Sequence, residues 1–222
     1  MSPTSWQFWV IGLSMGLLSG VGLRLALIRL TTLMGEPEAV GSEQAVESIR
    51  LPKLWPEGLA IALTLALLSW WGATPTFFAA VILLTTLVTL ALIDYRYYLL
   101  PDLITLPLLW LGLVVNLFGV FTDLASAVVG TVAGYLSLWA VYHIFLRLTG
   151  KAGMGHGDFK MLAMLGAWLG WQVLPQLLLI AALSGVVVGL ALRWVGRMGQ
   201  EQPLPFGVFL ALAGVIQLLL TA

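Results

Sequence analysis

The sequence predicts an all-α integral membrane protein, a polytopic helical bundle of about eight membrane segments. Three observations carry this. Of the 222 residues, 60% are hydrophobic and 9% are charged, where an ordinary soluble domain has about 25% charged. The apolar residues gather into stretches close to the roughly 20 residues a helix needs to cross hydrocarbon. The basic residues recur at the breaks between those stretches.

Taken in order, the stretches run over 6–28, 76–93, 103–121, 125–146, 175–195 and 206–222, with shorter ones at 59–72 and 161–172. The first is longer than the roughly 7–15 apolar residues of a signal peptide and has no basic flank before it. It is expected to be a retained anchor. Gly72-Ala73-Thr74-Pro75 reads as a turn, which makes 59–72 and the next span a hairpin. Segment 161–172 would cover only about 18 Å as a helix, short of a core of about 30 Å. It is expected as a shallow or tilted arm before 175–195. The chain divides into an N-terminal anchor helix with a shortened loop (1–58) and a membrane-embedded domain (59–222).

With eight crossings, all ten basic residues (Arg24, Arg29, Arg50, Lys53, Arg96, Arg147, Lys151, Lys160, Arg193 and Arg197) fall at or near one face. Positive charge marks the cytoplasmic side, so the N-terminus is expected outside. Of the acids, only Asp123 falls on the outer side. The loop 30–57 carries Glu36, Glu38, Glu43 and Glu47 and reads as a solvated linker or a binding segment.

Composition also excludes functions. The formal net charge is zero and no basic tract occurs, which argues against nucleic-acid binding. There is no cysteine, hence no disulfide and no thiolate zinc site. His143 and His156 are the only histidines, so no metal and no cofactor are expected. His143, late in a span, reads as a hydrogen-bonded interior residue. Neither Gly-x-Ser-x-Gly nor His-Glu-x-x-His occurs, so serine-hydrolase and zincin chemistry lack their parts.

Two aspartates sit where apolar stretches break. Asp94 closes the run 81–93, at a helix C-terminus whose dipole disfavours a carboxylate. An acid kept there needs another reason. Asp158 follows Gly153, Gly155 and Gly157. Gly155 and Gly157 leave backbone accessible to a substrate strand; the plain alternative is a flexible turn whose Asp caps the next helix. Asp102, after Pro101, reads as a helix cap that shapes the loop. Lys160 either snorkels to the interface or holds a carboxylate ionised. Carboxylates beside hydrocarbon are costly and usually functional. Two of them meeting at one face would share a proton and activate water for hydrolysis of a peptide bond.

The stretch Ile93-Asp94, then Leu100-Pro101-Asp102-Leu103-Ile104-Thr105-Leu106-Pro107, resembles the first aspartate motif of bacterial type IV prepilin peptidases. The stretch 153–160, Gly-Met-Gly-His-Gly-Asp-Phe-Lys, resembles their second, and Pro205-Phe206-Gly207 their C-terminal signature. The resemblance covers about residues 76–222. It implies a multi-pass aspartyl endopeptidase of the bacterial inner membrane with Asp94 and Asp158 as its catalytic pair. Asp102, Gly155, Gly157 and Lys160 would bind substrate or shape the loops. The implied substrates are type IV prepilins and type II secretion pseudopilins, cut at the cytoplasmic face to release a short basic leader. Full-length members also carry an N-terminal cytoplasmic domain with two Cys-x-x-Cys pairs and methylate the new N-terminus. Without cysteine, this sequence is expected to act as a trimmed, peptidase-only member. Arg96 stands where the family often has another aspartate.

Two other functions use the same residues. A proton-coupled carrier would place acids near the bilayer midplane, whereas these map to one end. An inactive homologue could serve as an assembly factor. Oligomeric state is not set by the sequence.

Overall fold

The computed structural model describes residues 14–16, 55–150, 153–196 and 204–221. Residues 14–16 are helical; the rest of the expected anchor 6–28 and most of the loop 30–57 lie outside the described residues. The other helices are α1 (Trp55–Trp71), α2 (Pro75–Tyr97), α3 (Asp102–Asn116), α4 (Leu124–Thr149), α5 (His156–Leu169), α6 (Leu174–Trp194) and α7 (Phe206–Leu220). No strand occurs among the described residues. The chain is a helical membrane protein. Three described helices are long and apolar enough to cross a bilayer, namely α2, α4 and α6, and α3 and α7 are shorter apolar helices. The expected count of about eight spans is therefore not what length and composition alone support.

The chain forms two compact units, 1–89 and 90–222, with the boundary inside α2. In the first, Thr64, Leu67, Leu68, Phe77, Leu83, Leu84 and Leu87 are buried. The second unit is built around α5. Every residue from Asp158 to Leu169 except Lys160 is buried, and α5 packs most extensively on α4, then on α3. Over 161–169 the shallow arm expected at 161–172 is thus the buried centre of this unit. Its apolar residues face protein on all sides, so a short helix suffices.

In lipid, apolar burial gives little net drive, because hydrocarbon is as apolar as leucine; close packing of small residues holds helices together. Helices α4 and α5 do this at Gly130, Gly134 and Gly166. A Cβ at Gly130 would lie 2.5 Å from Gly166 O, and one at Gly134 would lie 2.7 Å from Leu162 O. Backbone therefore meets backbone. Outward residues of α4, including Val128, Val132, Leu136 and Trp139, are exposed and apolar, as a lipid-facing surface requires.

Asn116 closes the unit at the end away from the acids. Its Nδ2 donates to Ala167 O (2.9 Å) and Trp168 O (2.8 Å). Its Oδ1 accepts from the Phe121 and Thr122 amides (3.0 and 3.2 Å). The two carbonyls belong to the last turn of α5, which has no intrahelical donors for them. The same side chain folds the following loop back, so α3 stops at Asn116 and does not run on to 121 as expected. Asp123 caps α4 by accepting from the Ser126 amide (2.8 Å). The Ser126 hydroxyl and that amide hold its carboxyl below the usual range.

Candidate active site

Four chain segments of the second unit line one cavity of about 730 Å³. They are the end of α2 with the following turn (Asp94, Tyr98, Leu100), the start of α3 (Asp102), the turn into α5 (153–158, with Lys160) and the start of α7 (204–206). All are helix ends, which fits acids that map to span boundaries. The two sequence-distant aspartates are therefore brought to one cavity, and both are buried, Asp94 at 5% exposure and Asp158 at 6%.

Asp94 lies in the last turn of α2. The electrostatic objection to an acid there is met by another helix: Asp94 Oδ2 accepts the Val208 N–H at 3.2 Å. Val208 is in the first turn of α7, whose amides have no intrahelical acceptor and carry the positive dipole end. The turn after Asp94 is unusual. Tyr98 adopts φ 53°, a left-handed backbone uncommon outside glycine, and its N–H donates to Asp94 O (2.9 Å). This closes α2 immediately beyond the acid and turns 99–101 back toward α3.

Asp158 is the third residue of α5, in its first turn. Burial pushes its carboxyl up to about 7; the Asp94 charge adds to the rise, and the Gly155 backbone opposes it. Leu100, 8% exposed, packs from the turn after Asp94 against both the start of α5 and the start of α7. A Cβ at Gly157 would be 2.8 Å from Leu100 Cβ, and one at Gly207 would be 3.0 Å from Leu100 Cδ1.

The other expected residues divide differently. Asp102 is the first residue of α3, but the cap position is Pro101 and no side-chain cap bond forms. Its carboxylate instead accepts from Lys160 Nζ through both oxygens (2.7 and 2.6 Å). The capping role expected for Asp102 is therefore corrected to an ion pair, although its charge still suits the positive end of α3. The same pair shows which carboxylate Lys160 meets, namely that of Asp102. Gly155 is the residue preceding α5 and Gly157 its second residue; both line the cavity. His156 is exposed and packs against the rings of Tyr142 and Phe159 at 5.1 and 5.4 Å between centroids. His143 is half-buried rather than interior, with Nδ1 2.9 Å from Trp139 O. No cluster of three His, Asp or Glu side chains that could hold a metal occurs among the described residues.

Sequence reasoning missed the Val208 amide, Leu100 and Tyr98. The first had a signal: Pro205 followed by Gly207 before an apolar run marks a helix start. Nothing local marks Leu100 or Tyr98, whose roles depend on neighbours distant in sequence.

Fold and site together define a helical membrane protein with two buried carboxylates at the ends of its helices. A sequence model described as the type IV leader peptidase family matches residues 81–190, a stretch that contains both acids. That stretch of the chain belongs to the family. It is 49% identical over 178 residues to a prepilin leader peptidase/N-methyltransferase of Aeromonas hydrophila, covering 79% of this chain and 60% of the relative. A protein of the same name from Burkholderia pseudomallei (strain 1026b) is 50% identical over 157 residues, or 71% of this chain and 51% of that one. The corresponding protein of Dickeya chrysanthemi is 56% identical over 133 residues, 60% of this chain and 47% of that one. The chain thus spans about half to three fifths of the length of these relatives. No solved structure matches.

Proposed function

We propose that this chain is an aspartyl endopeptidase that cuts the leader from prepilins or pseudopilins, with Asp94 and Asp158 as the catalytic pair. The observation that carries the reading is that Asp94 and Asp158 are both buried on one shared cavity, where the charge of the first adds to the rise of the second. Groups coupled in this way titrate as a pair and hold a single proton near neutrality. Asp158 carries that proton. Asp94, with a backbone N–H on one oxygen, is the carboxylate that accepts a proton from water as the water oxygen attacks the scissile carbonyl carbon. Asp158 protonates the carbonyl oxygen. On collapse of the tetrahedral adduct the C–N bond breaks, the leaving amine takes up the proton first accepted by Asp94, and one adduct hydroxyl returns a proton to Asp158, which leaves a carboxylic acid product and the pair as it began. Asp102 with Lys160, and Gly155 with Gly157, shape the loops around the pair.

The basic residues support a cytoplasmic cavity. Arg96, Arg147 and Arg193 lie in the last turns of α2, α4 and α6, and Lys160 follows in the start of α5. Asp123 begins α4 at the opposite end. Positive charge marks the cytoplasmic side, so we place the cavity there, in a bacterial inner membrane, with about eight crossings and the N-terminus outside. The N-terminal 58 residues serve as anchor and loop to the peptidase domain of 59–222. Absence of cysteine from these 222 residues supports cleavage without methyl transfer by this chain.

The test is leader removal from a prepilin in isolated membranes. Asp94→Ala and Asp158→Ala are each expected to abolish cleavage, a loss of at least about 10³-fold for a group that activates the nucleophile or the carbonyl. Cleavage retained by either variant refutes the assignment.

A further inference from the structure

The first turn of α7 reads Phe206-Gly207-Val208 and contributes no titratable group to the chemistry above. We propose that this turn, opened by Gly207, is the positioning element that aims the Asp94 carboxylate; the inference rests on the aspartyl reading. A flexible acid at the end of its own helix has no local partner that fixes its rotamer. Here Asp94 Oδ2 docks on the Val208 amide, a donor from a helix 114 residues away in sequence. Docking requires close approach at the preceding residue. A Cβ at Gly207 would stand 2.7 Å from Asp94 Oδ2 and 3.0 Å from its Cγ. Real Cβ atoms essentially never come nearer than 3.0 Å. The carboxylate would therefore have to leave the amide. One oxygen held by a rigid backbone donor fixes the plane of the carboxylate, which pre-organises it for proton transfer. Gly207 and Val208 are thus positioning residues that act through Asp94. The geometry also gives the Pro205-Phe206-Gly207 motif a physical role: it starts a helix at the acid and keeps that start free of a side chain.

The experiment compares Gly207→Ala with wild type in leader cleavage, with Gly58→Ala as control because a Cβ there meets nothing within 4 Å. Gly207→Ala is expected to lower kcat about 10²-fold at unchanged KM, the scale of a misplaced catalytic group. Gly58→Ala should keep the wild-type rate. The acid variants separate the two levels of the argument. If Asp94→Ala or Asp158→Ala still cleaves, the aspartyl reading fails. If both are inactive while Gly207→Ala matches wild type in kcat, the positioning role alone is overturned. Recovery of kcat in the double variant Gly207→Ala, Leu100→Ala would also overturn it, because the defect would then run through Leu100 packing. Should Gly207→Ala not accumulate folded protein, thermal stability in detergent decides. The added methyl collides with the carboxylate, so Asp94→Ala in the same chain should restore folding, and failure to restore it overturns the proposal.

Discussion

Asp158 is buried in the first turn of α5 with a second acid on the same cavity, and its carboxyl rises from 3.8 to about 7. A group whose folded pKa is raised contributes stability that is complete below 3.8 and is lost as the pH rises toward about 7. The slope approaches 1.4 kcal/mol per pH unit, about the value of one proton. The melting temperature of the wild-type protein in detergent should therefore fall from pH 4 toward pH 7, relative to Asp158→Asn, and run parallel to it above. Parallel curves throughout would show that the carboxyl is not raised. The same proton serves the proposed reaction, so cleavage should decline on the alkaline side of about pH 7. Asp102 and Lys160 have no comparable weight. Their ion pair is bidentate but 53% and 30% exposed, and exposed pairs contribute about 0–1 kcal/mol.

At the scale of helices, the second unit is organised by ends that complete one another. The first turn of α7 receives the acid at the last turn of α2. Asn116, where α3 stops, takes up carbonyls at the end of α5. In each case a polar group that its own helix cannot satisfy finds its partner on another. Asn116→Leu keeps similar bulk but strands two carbonyls and two amides. An unsatisfied buried group costs about 1–3 kcal/mol, so this variant is expected to lose at least about 3 kcal/mol and to melt well below wild type. A melting temperature within a degree or two of wild type would count against the cap. No sequence pattern announces such partnerships. Asn116 looks like an ordinary polar residue near the end of a span, and only the folded path of 121–122 and 167–168 gives it four bonds.

For the whole molecule, the sequence makes legible what depends on composition and on local signals. Helical membrane architecture follows from apolar stretches, and the two acids stand out because hydrocarbon makes them costly. Lengths and neighbours are less legible. Segment 161–172 is too short to read as a span, and periodicity cannot tell a helix buried by protein from one lying at the surface of the bilayer. The difference lies in Gly130, Gly134 and Gly166, whose spacing on separate helices becomes a contact only after folding. The same holds for the site: the acids are visible one by one, whereas Leu100, Gly207 and the Val208 amide acquire their meaning from what stands against them.

The enclosure of α5 has a consequence for the choice of lipid. A helix exposed to acyl chains must tilt or strain when they lengthen, at fractions of a kcal/mol per Å. Helices α4 and α6 present that kind of surface, while α5, which carries Asp158, is wrapped in protein. Thick and thin bilayers should therefore be accommodated by the outer helices, leaving Asp158 where it is. Turnover in vesicles of short-chain and long-chain phosphatidylcholine should agree within about threefold, the effect of under 1 kcal/mol. A steep optimum at one chain length would mean that thickness reaches the inner helix after all.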